Sequence, residues 1–258
     1  MYRDRSIGSK WTHVPIFERV QEILSSSRDL LHKRVVISAG PTYEAVDPVR
    51  FLGNRSSGKM GFSLAREAAR RGAQVTLIAG PVALPTPQGV QRIDVESAAQ
   101  MADAVLPFMQ QDAADVIIMA AAVADFRVAR PADKKLKKSE LKAPPQLQLE
   151  PTQDILAELG AQRGRRKKPL LVGFAAETHD VEEYALRKLR EKRCDIIIAN
   201  DVAEAGSGFG TETNRVTMLI GAQKTRIERL PQLPKDEVAA RIFSFIAPLV
   251  QTAAEPKT

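Results

Sequence analysis

The residues of this sequence best suited to chemistry are cations, hydroxyls and small residues gathered in a few stretches. Asn54-Arg55-Ser56-Ser57-Gly58-Lys59 lies just before an amphipathic segment with helical spacing. A polar loop of Gly, Ser and Asn that feeds a helix turns its amides, and the positive end of the helix dipole, toward an anion. Ser56, Ser57 and Gly58 would equally serve as a plain helix cap. A second cationic stretch, Lys135-Leu136-Lys137-Lys138, sits in the run from Asp133 to Glu140, and most lysine runs are solvated loops. Lys188 and Lys192 are four apart, so on a helix they share one face and reach one ligand, although alone they read as surface charges. The loop is neither G-x-x-x-x-G-K-[ST] nor G-x-G-x-x-G, so a Walker A site and a dinucleotide fingerprint are both missing. The single cysteine, Cys194, falls in the apolar run CDIIIA and reads as a small buried side chain rather than a nucleophile.

Periodicity supplies the frame for these residues. Val35-Val36-Ile37 is a buried strand running to Gly40. Lys59 to Arg71 puts Met60, Leu64, Ala65 and Ala68 on one stripe, a helix closed by Gly72. Gln74 to Gly80 is the second strand, residues 81–89 are a proline-rich turn and Gln91 to Glu96 is the third strand. Ser97 caps a helix to about Gln111. Asp115 to Asp125 is a buried strand whose branched residues give way to Ala120-Ala121-Ala122. Small residues at a strand's carboxyl end let a ligand approach the backbone. Phe126 to Pro145 breaks the rhythm as a basic loop, of the long kind that carries function or moves.

A strand near Leu147 to Glu150 follows, then a helix capped by Thr152 and running to Arg163, and a buried strand from Pro169 to Glu177. Next come a helix from Val181 to Arg193, a strand from Cys194 to Asp201, a hairpin over 216–231 and a closing helix from Lys235 to Val250. Repeated strand–helix pairs require a mostly parallel sheet covered on both faces. The expected fold is therefore α/β: a three-layer Rossmann-like domain over residues 34–258, with helices on both faces and a C-terminal β-hairpin extension. Residues 1–33 differ in character, a tail followed by a short connector helix from Phe17 to Leu31.

Composition narrows the class. A chain of 258 residues with 44% hydrophobic content buries a sizeable core as one large α/β domain or two small ones. One cysteine excludes an internal disulfide framework and fits a reducing compartment. No apolar stretch approaches the roughly 18 residues of a spanning helix, and no signal peptide is visible, so the expected location is cytoplasmic, away from membranes. The net charge of +7 asks for anionic partners. Aromatics make up only 5% and do not interleave with the basic clusters, which argues against a stacking platform for nucleic acid. Phosphorylated small molecules account for the charge as well.

The wording of the loop says more than its spacing. AGPTYEAVDPVRFLGNRSSGKMG, from Ala39 to Gly61, closely resembles the first signature of phosphopantothenoylcysteine synthetase, which joins cysteine to 4′-phosphopantothenate on the route to coenzyme A. The resemblance covers nearly all of the chain beyond the N-terminal segment. In many bacteria that enzyme is the C-terminal half of a fused flavoprotein decarboxylase–synthetase. IFERVQEIL resembles the connector in those fusions, which implies a fragment of such a protein and a fused or separate phosphopantothenoylcysteine decarboxylase domain as partner. The chemistry implied is attack of the acid's carboxylate on the α-phosphate of CTP, loss of pyrophosphate, and displacement of CMP from the acyl-cytidylate by the amino group of L-cysteine. Mg²⁺ is the implied metal, with ligands left open, and the family is a homodimer with its site near the interface.

By the same resemblance, Lys135 heads the family's K-x-K-K motif and serves acyl-cytidylate formation, and Asn54 holds that intermediate. Ser56, Ser57 and Gly58 give hydroxyls and amides to phosphate. Met119, Ala121, Ala122 and Phe174 hold the base, Asp125 binds nearby, and Gln153, Asp154, Ile155 and Leu156 make a further nucleotide contact, as do Lys188 and Lys192. Relatives often read Asn-Pro-Asp-Ile where this chain has Gln153, and Ser where it has Gly53; the first departure puts the role of Gln153 in question. Asn200-Asp201 ends a strand in the same region with no step to assign.

Two other readings share these features. A Rossmann-type oxidoreductase requires the missing glycine fingerprint and an acidic residue closing the second strand, where Ala79-Gly80 stand. A nucleic-acid-binding module built on the basic clusters predicts steeply salt-dependent affinity for DNA or RNA.

Overall fold

The structure is a computed structural model that describes residues 27–110, 113–140, 143–177, 179–201, 206–208, 210–221 and 223–252. Its centre is an eight-stranded sheet. In chain order the main elements are β1 (Arg34–Ala39), α1 (Lys59–Arg70), β2 (Gln74–Ala79), β3 (Val90–Asp94), α2 (Ala98–Val105), β4 (Val116–Met119), α3 (Ile155–Arg163), β5 (Leu170–Glu177), α4 (Val181–Glu191), β6 (Ile196–Asp201), β7 (Thr217–Ile220), β8 (Arg226–Arg229) and α5 (Lys235–Thr252). The strands lie in the order β8-β7-β6-β5-β4-β1-β2-β3. All pairings from β3 through to β6 are parallel, and the β7–β8 hairpin joins antiparallel on the β6 edge. The parallel part, 3-2-1-4-5-6, is the doubly wound order, and the winding reverses between β1 and β4.

Side chains alternate across that sheet, so each strand feeds two apolar layers. On one face Val35, Ile37, Val172 and Ile198 pack under Leu64 and Ala68 of α1 and Val238, Ile242 and Phe243 of α5. On the other, Val36, Ile117 and Leu171 pack under Met101 and Val105 of α2 and Ile155 and Leu159 of α3, while Ile197 and Leu219 meet Ala185 and Leu189 of α4. α1 lies close on β1 because residue 61 is glycine: a Cβ there would stand 2.5 Å from the Ala39 Cβ.

Several local expectations are corrected. The helix after Ser97 ends at Val105 and tightens into a 3₁₀ turn over Leu106–Met109, because Pro107 has no N–H to continue an α-helix; Gln111 lies outside the described residues. The strand from Asp115 stops at Met119, where the alanines begin. The basic loop is not wholly irregular, since Phe126–Val128 pairs antiparallel with Leu149–Pro151. The cap of α3 is Asp154, whose carboxylate accepts from the Ala157 amide at 2.9 Å, while the Thr152 hydroxyl donates to the Ala124 carbonyl. α4 ends at Glu191, with Lys192 as its C-cap. Of the expected connector helix, residues 17–26 lie outside the described residues, and Asp29–His32 is a turn.

Arg71, at the end of α1, ties together the two helices on one face of the sheet. Its guanidinium, 7% exposed, donates to Glu67 at 2.7 Å, to Asp29 at 3.0 Å and to the Ala240 carbonyl of α5 at 2.8 Å. Burial raises the Glu67 carboxyl, but hydrogen bonds from Arg70 and Arg71 outweigh it and hold the group below its ordinary range. Arg71→Met is expected to destabilise the fold by about 3 kcal/mol, the scale for breaking a buried pair, as read by denaturant midpoint. Glu67 binds its proton more readily unfolded than folded. Its contribution is therefore present above its unfolded pKa and lost as pH falls through the lower folded value. In Arg71→Met that acid-side loss of stability should shrink.

Candidate active site

The loops at the carboxyl ends of β1, β4, β5 and β6 enclose a cleft of about 740 Å³. It opens at the point where the winding reverses, the usual ligand position in doubly wound sheets. The backbone beyond β4 is stitched across that point to β1. Ser38 Oγ accepts from the Ala121 amide at 3.1 Å, Gly40 O accepts from the Ala122 amide at 2.8 Å, and Thr42 Oγ1 accepts from the Ala124 amide at 2.9 Å. Asn54 adds a further stitch, its Nδ2 donating to the Ala122 carbonyl at 2.9 Å and the Val123 carbonyl at 3.3 Å.

α1 begins at the cleft floor. Its N-cap is Gly58, in the left-handed region at φ +76, and no side chain caps the helix. Ser56 Oγ instead accepts from the Gly58 amide at 3.4 Å. The serines are therefore not helix caps, and the first-turn amides of α1 stay available to an anion. From the other side come the start of α3 and two lysines near the end of α4. Lys188 Nζ donates to Glu177 at 2.8 Å, and Lys192 is paired with Asp154.

Asn54, Ser56, Ser57, Gly58, Met119, Ala121, Ala122, Asp125, Gln153, Asp154, Ile155, Leu156, Phe174, Lys188 and Lys192 all line this one cleft. Lys135 does not. It is exposed, in a segment whose neighbour Leu136 is bonded to Asp47 and Arg50. Cys194 is also away from the cleft, and burial, with the Asp195 charge, pushes its thiol up to about 12.

Other lining residues carried no local signal. Asn214, in the segment that follows β6, and Lys235, the first residue of α5, both line the cleft. Lys235 Nζ donates to Thr213 O at 2.8 Å and Thr211 Oγ1 at 3.1 Å, and burial, with Lys59 close by, lowers its affinity for the proton. Lys59 pairs with Glu212 of the same segment. Lys59, at the end of the polar loop, and Asn200, near the end of β6, line the cleft as well. Among the described residues, no group of three or more His, Cys, Asp or Glu side chains could hold a metal ion, and no helix is long and apolar enough to cross a membrane.

The class is that of a doubly wound α/β domain whose switch-point cleft, with uncapped helix amides, small-residue backbone and lysines, suits phosphorylated ligands. Residues 30–249 match the family of the DNA/pantothenate metabolism flavoprotein C-terminal domain, and the chain belongs to that family. It is similar to the coenzyme A biosynthesis bifunctional protein CoaBC of Bacillus subtilis, at 47% identity over 89% of this chain and 55% of the relative. The protein of the same name from Vibrio cholerae is 46% identical over 84% of this chain and 53% of the relative. The chain thus spans about half the length of these relatives. A crystal structure of the C-terminal domain of CoaBC matches 88% of this chain and 100% of its own, at 42% identity and a TM-score of 0.72.

Proposed function

We propose that this chain is a CTP-dependent ligase that joins 4′-phosphopantothenate to L-cysteine through an acyl-cytidylate, releasing pyrophosphate and CMP. What supports this reading most is the convergence, on one switch-point cleft in a member of this family, of segments far apart in sequence: the Asn54 loop, backbone 119–122, the start of α3, Phe174 and the lysines of α4. A carboxylate does not condense with an amine unaided, because its oxygen leaves poorly. Activation on the α-phosphate needs a triphosphate cradle, positive charge and positioning, and no nucleophilic side chain.

In this reading Ser56, Ser57 and the α1 amides receive phosphate, Met119, Ala121, Ala122 and Phe174 hold the base, and Asn54 holds the acyl group beside them. Lys135, Lys188 and Lys192 offset charge on the phosphates. Mg²⁺ usually keeps several waters and binds through one or two carboxylates plus substrate phosphates. A cleft with Asp125 on its wall and, among the described residues, no carboxylate cage suits an ion that arrives with the triphosphate and neutralises its charge. The protein would act in the cytoplasm, free of membrane and nucleic acid, beside a fused or separate decarboxylase domain. A homodimer is part of the proposal, supported by Val49, Phe51, Phe126 and Leu149. Phe51, Phe126 and Leu149 stand 50%, 53% and 49% exposed on two adjoining short ladders, and Val49, 58% exposed, lies in the turn of the first.

The direct test is pyrophosphate release from CTP and 4′-phosphopantothenate. A first turnover is expected without cysteine and continuous release with it. Release from ATP alone would overturn the choice of CTP, and binding of NADP or an oligonucleotide in place of either nucleotide would favour the rival classes.

Lys188→Ala and Lys192→Ala should each raise the apparent CTP constant at least about fivefold with the fold intact by circular dichroism, within the roughly 1–3 kcal/mol of a charged hydrogen bond. Surface lysines would change stability by only a few tenths of a kcal/mol and leave CTP dependence as it was. Two such silent variants would assign this face of α4 to solvent.

A further inference from the structure

We propose that Asp47 is the positioning residue of Lys135, clipping the lysine segment to the turn that leads into Asn54; as a catalytic statement this rests on the ligase reading above. The turn at 46–50 joins Tyr43–Ala45 to Phe51–Gly53, and Asn54 follows directly. Within the turn Asp47 Oδ1 accepts from the Val49 amide at 2.9 Å and the Arg50 amide at 2.8 Å, the ordinary work of a turn aspartate.

Its second oxygen reaches beyond the turn. Asp47 Oδ2 takes the Arg50 guanidinium, with Nε at 3.0 Å, and the amide of Leu136, 89 residues away, at 3.1 Å. Arg50 Nη2 then donates to the Leu136 carbonyl at 2.9 Å. Both backbone groups of Leu136, between Lys135 and Lys137, are thus held by one acid and its arginine. A further bond from the Ala132 amide to the Val46 carbonyl, 2.9 Å, secures the loop upstream.

The Asp47 side chain is fully buried, yet charged. Hydrogen bonding from Arg50 outweighs burial and, with the three amides, keeps the carboxyl well below the usual carboxylate range. A neutral turn residue would suffice for the local amides alone. Charge-assisted bonds to a distant backbone unit fix where a flexible lysine is rooted, and small displacements of a positioned group cost rate.

Asp47→Asn keeps Oδ1 and the shape of the turn but faces the Leu136 amide and Arg50 with an NH₂ group. Three results are expected. The rate of pyrophosphate release with CTP and 4′-phosphopantothenate falls at least about tenfold while the CTP constant stays within about twofold, as loss of positioning in the reacting complex predicts. Trypsin cleaves the ligand-free protein between Lys134 and Lys138 at least about fivefold faster, as loss of a local restraint predicts. In a Lys135→Gln background, Asp47→Asn costs less than about twofold, because residues acting through one group are not additive.

Arg50→Ala, which removes the tether on the Leu136 carbonyl, should change turnover and cleavage in the same direction and covers the case in which Asp47→Asn does not fold. An equal loss from Asp47→Asn with and without Lys135 would overturn the proposal, as would unchanged turnover or unchanged cleavage. Faster cleavage in a protein that releases pyrophosphate from no nucleotide would support the clip and remove the ligase reading alone.

Discussion

Lys135→Gln is expected to slow acyl-cytidylate formation by about a hundredfold or more, the loss that follows removal of a fixed electrostatic stabiliser from a transition state that gathers negative charge. The reacting carboxylate and the α-phosphate both carry negative charge, so approach is opposed until a cation offsets it. Glutamine keeps much of the lysine stem and a hydrogen-bond donor but not the charge, so the variant isolates the electrostatic part. Quenched-flow measurement of pyrophosphate release in the absence of cysteine reads the first half-reaction alone. In the structure Lys135 is exposed and does not line the cleft. A lysine that stayed in solvent would give near-normal release, and that result would strip Lys135 of its role.

Asn54→Asp is expected to leave the first half-reaction partly working and to cripple the second, with acyl-cytidylate building up by at least about tenfold in quenched mixtures analysed by mass spectrometry. Asn54 spends its Nδ2 on the carbonyls of Ala122 and Val123, across the switch point. An aspartate cannot donate there and brings its charge against two carbonyl oxygens, on the scale of about 1–3 kcal/mol for an unmade bond at a polar group. On the proposed ligase reading it would also set a negative group beside the acyl-phosphate, where a neutral amide is tolerated. Normal product with no accumulated intermediate would reduce Asn54 to a turn residue.

The fold was legible because its signals are redundant. Most buried strands are apolar runs rich in β-branched residues, the first helix carries a clear apolar stripe, and β7 and β8 follow from the apolar run Thr217–Ile220 and the short alternating run Arg226–Arg229 set close together in sequence. What failed was local and has local causes: Pro107 cutting a helix short, Asp154 taking the cap that Thr152 also suited, and the ladder of Phe126–Val128 with Leu149–Pro151, whose partners are more than 20 residues apart. The site divides the same way. The Asn54 loop and the alanines after β4 advertise themselves by residue type and position. Lys235 and Asn214 reach the cleft only through tertiary folding of segments with no chemical motif of their own. Asp47 reads as an ordinary turn acid, since nothing near it in sequence announces Leu136.

The lysines of α4 do not wait as free charges. Lys188 already holds Glu177 and Lys192 already holds Asp154. Any anion that enters must therefore be exchanged for a carboxylate, and the observed affinity is the difference between two contacts rather than the strength of one. Such half-buried pairs are worth up to about 1 kcal/mol each, a cost that a ligand engaging several groups at once offsets more readily than a lone weak anion. Salt loosens the resident pairs as well as the incoming ones. Affinity for a polyanion should consequently fall less steeply with ionic strength than two unpaired lysines would predict.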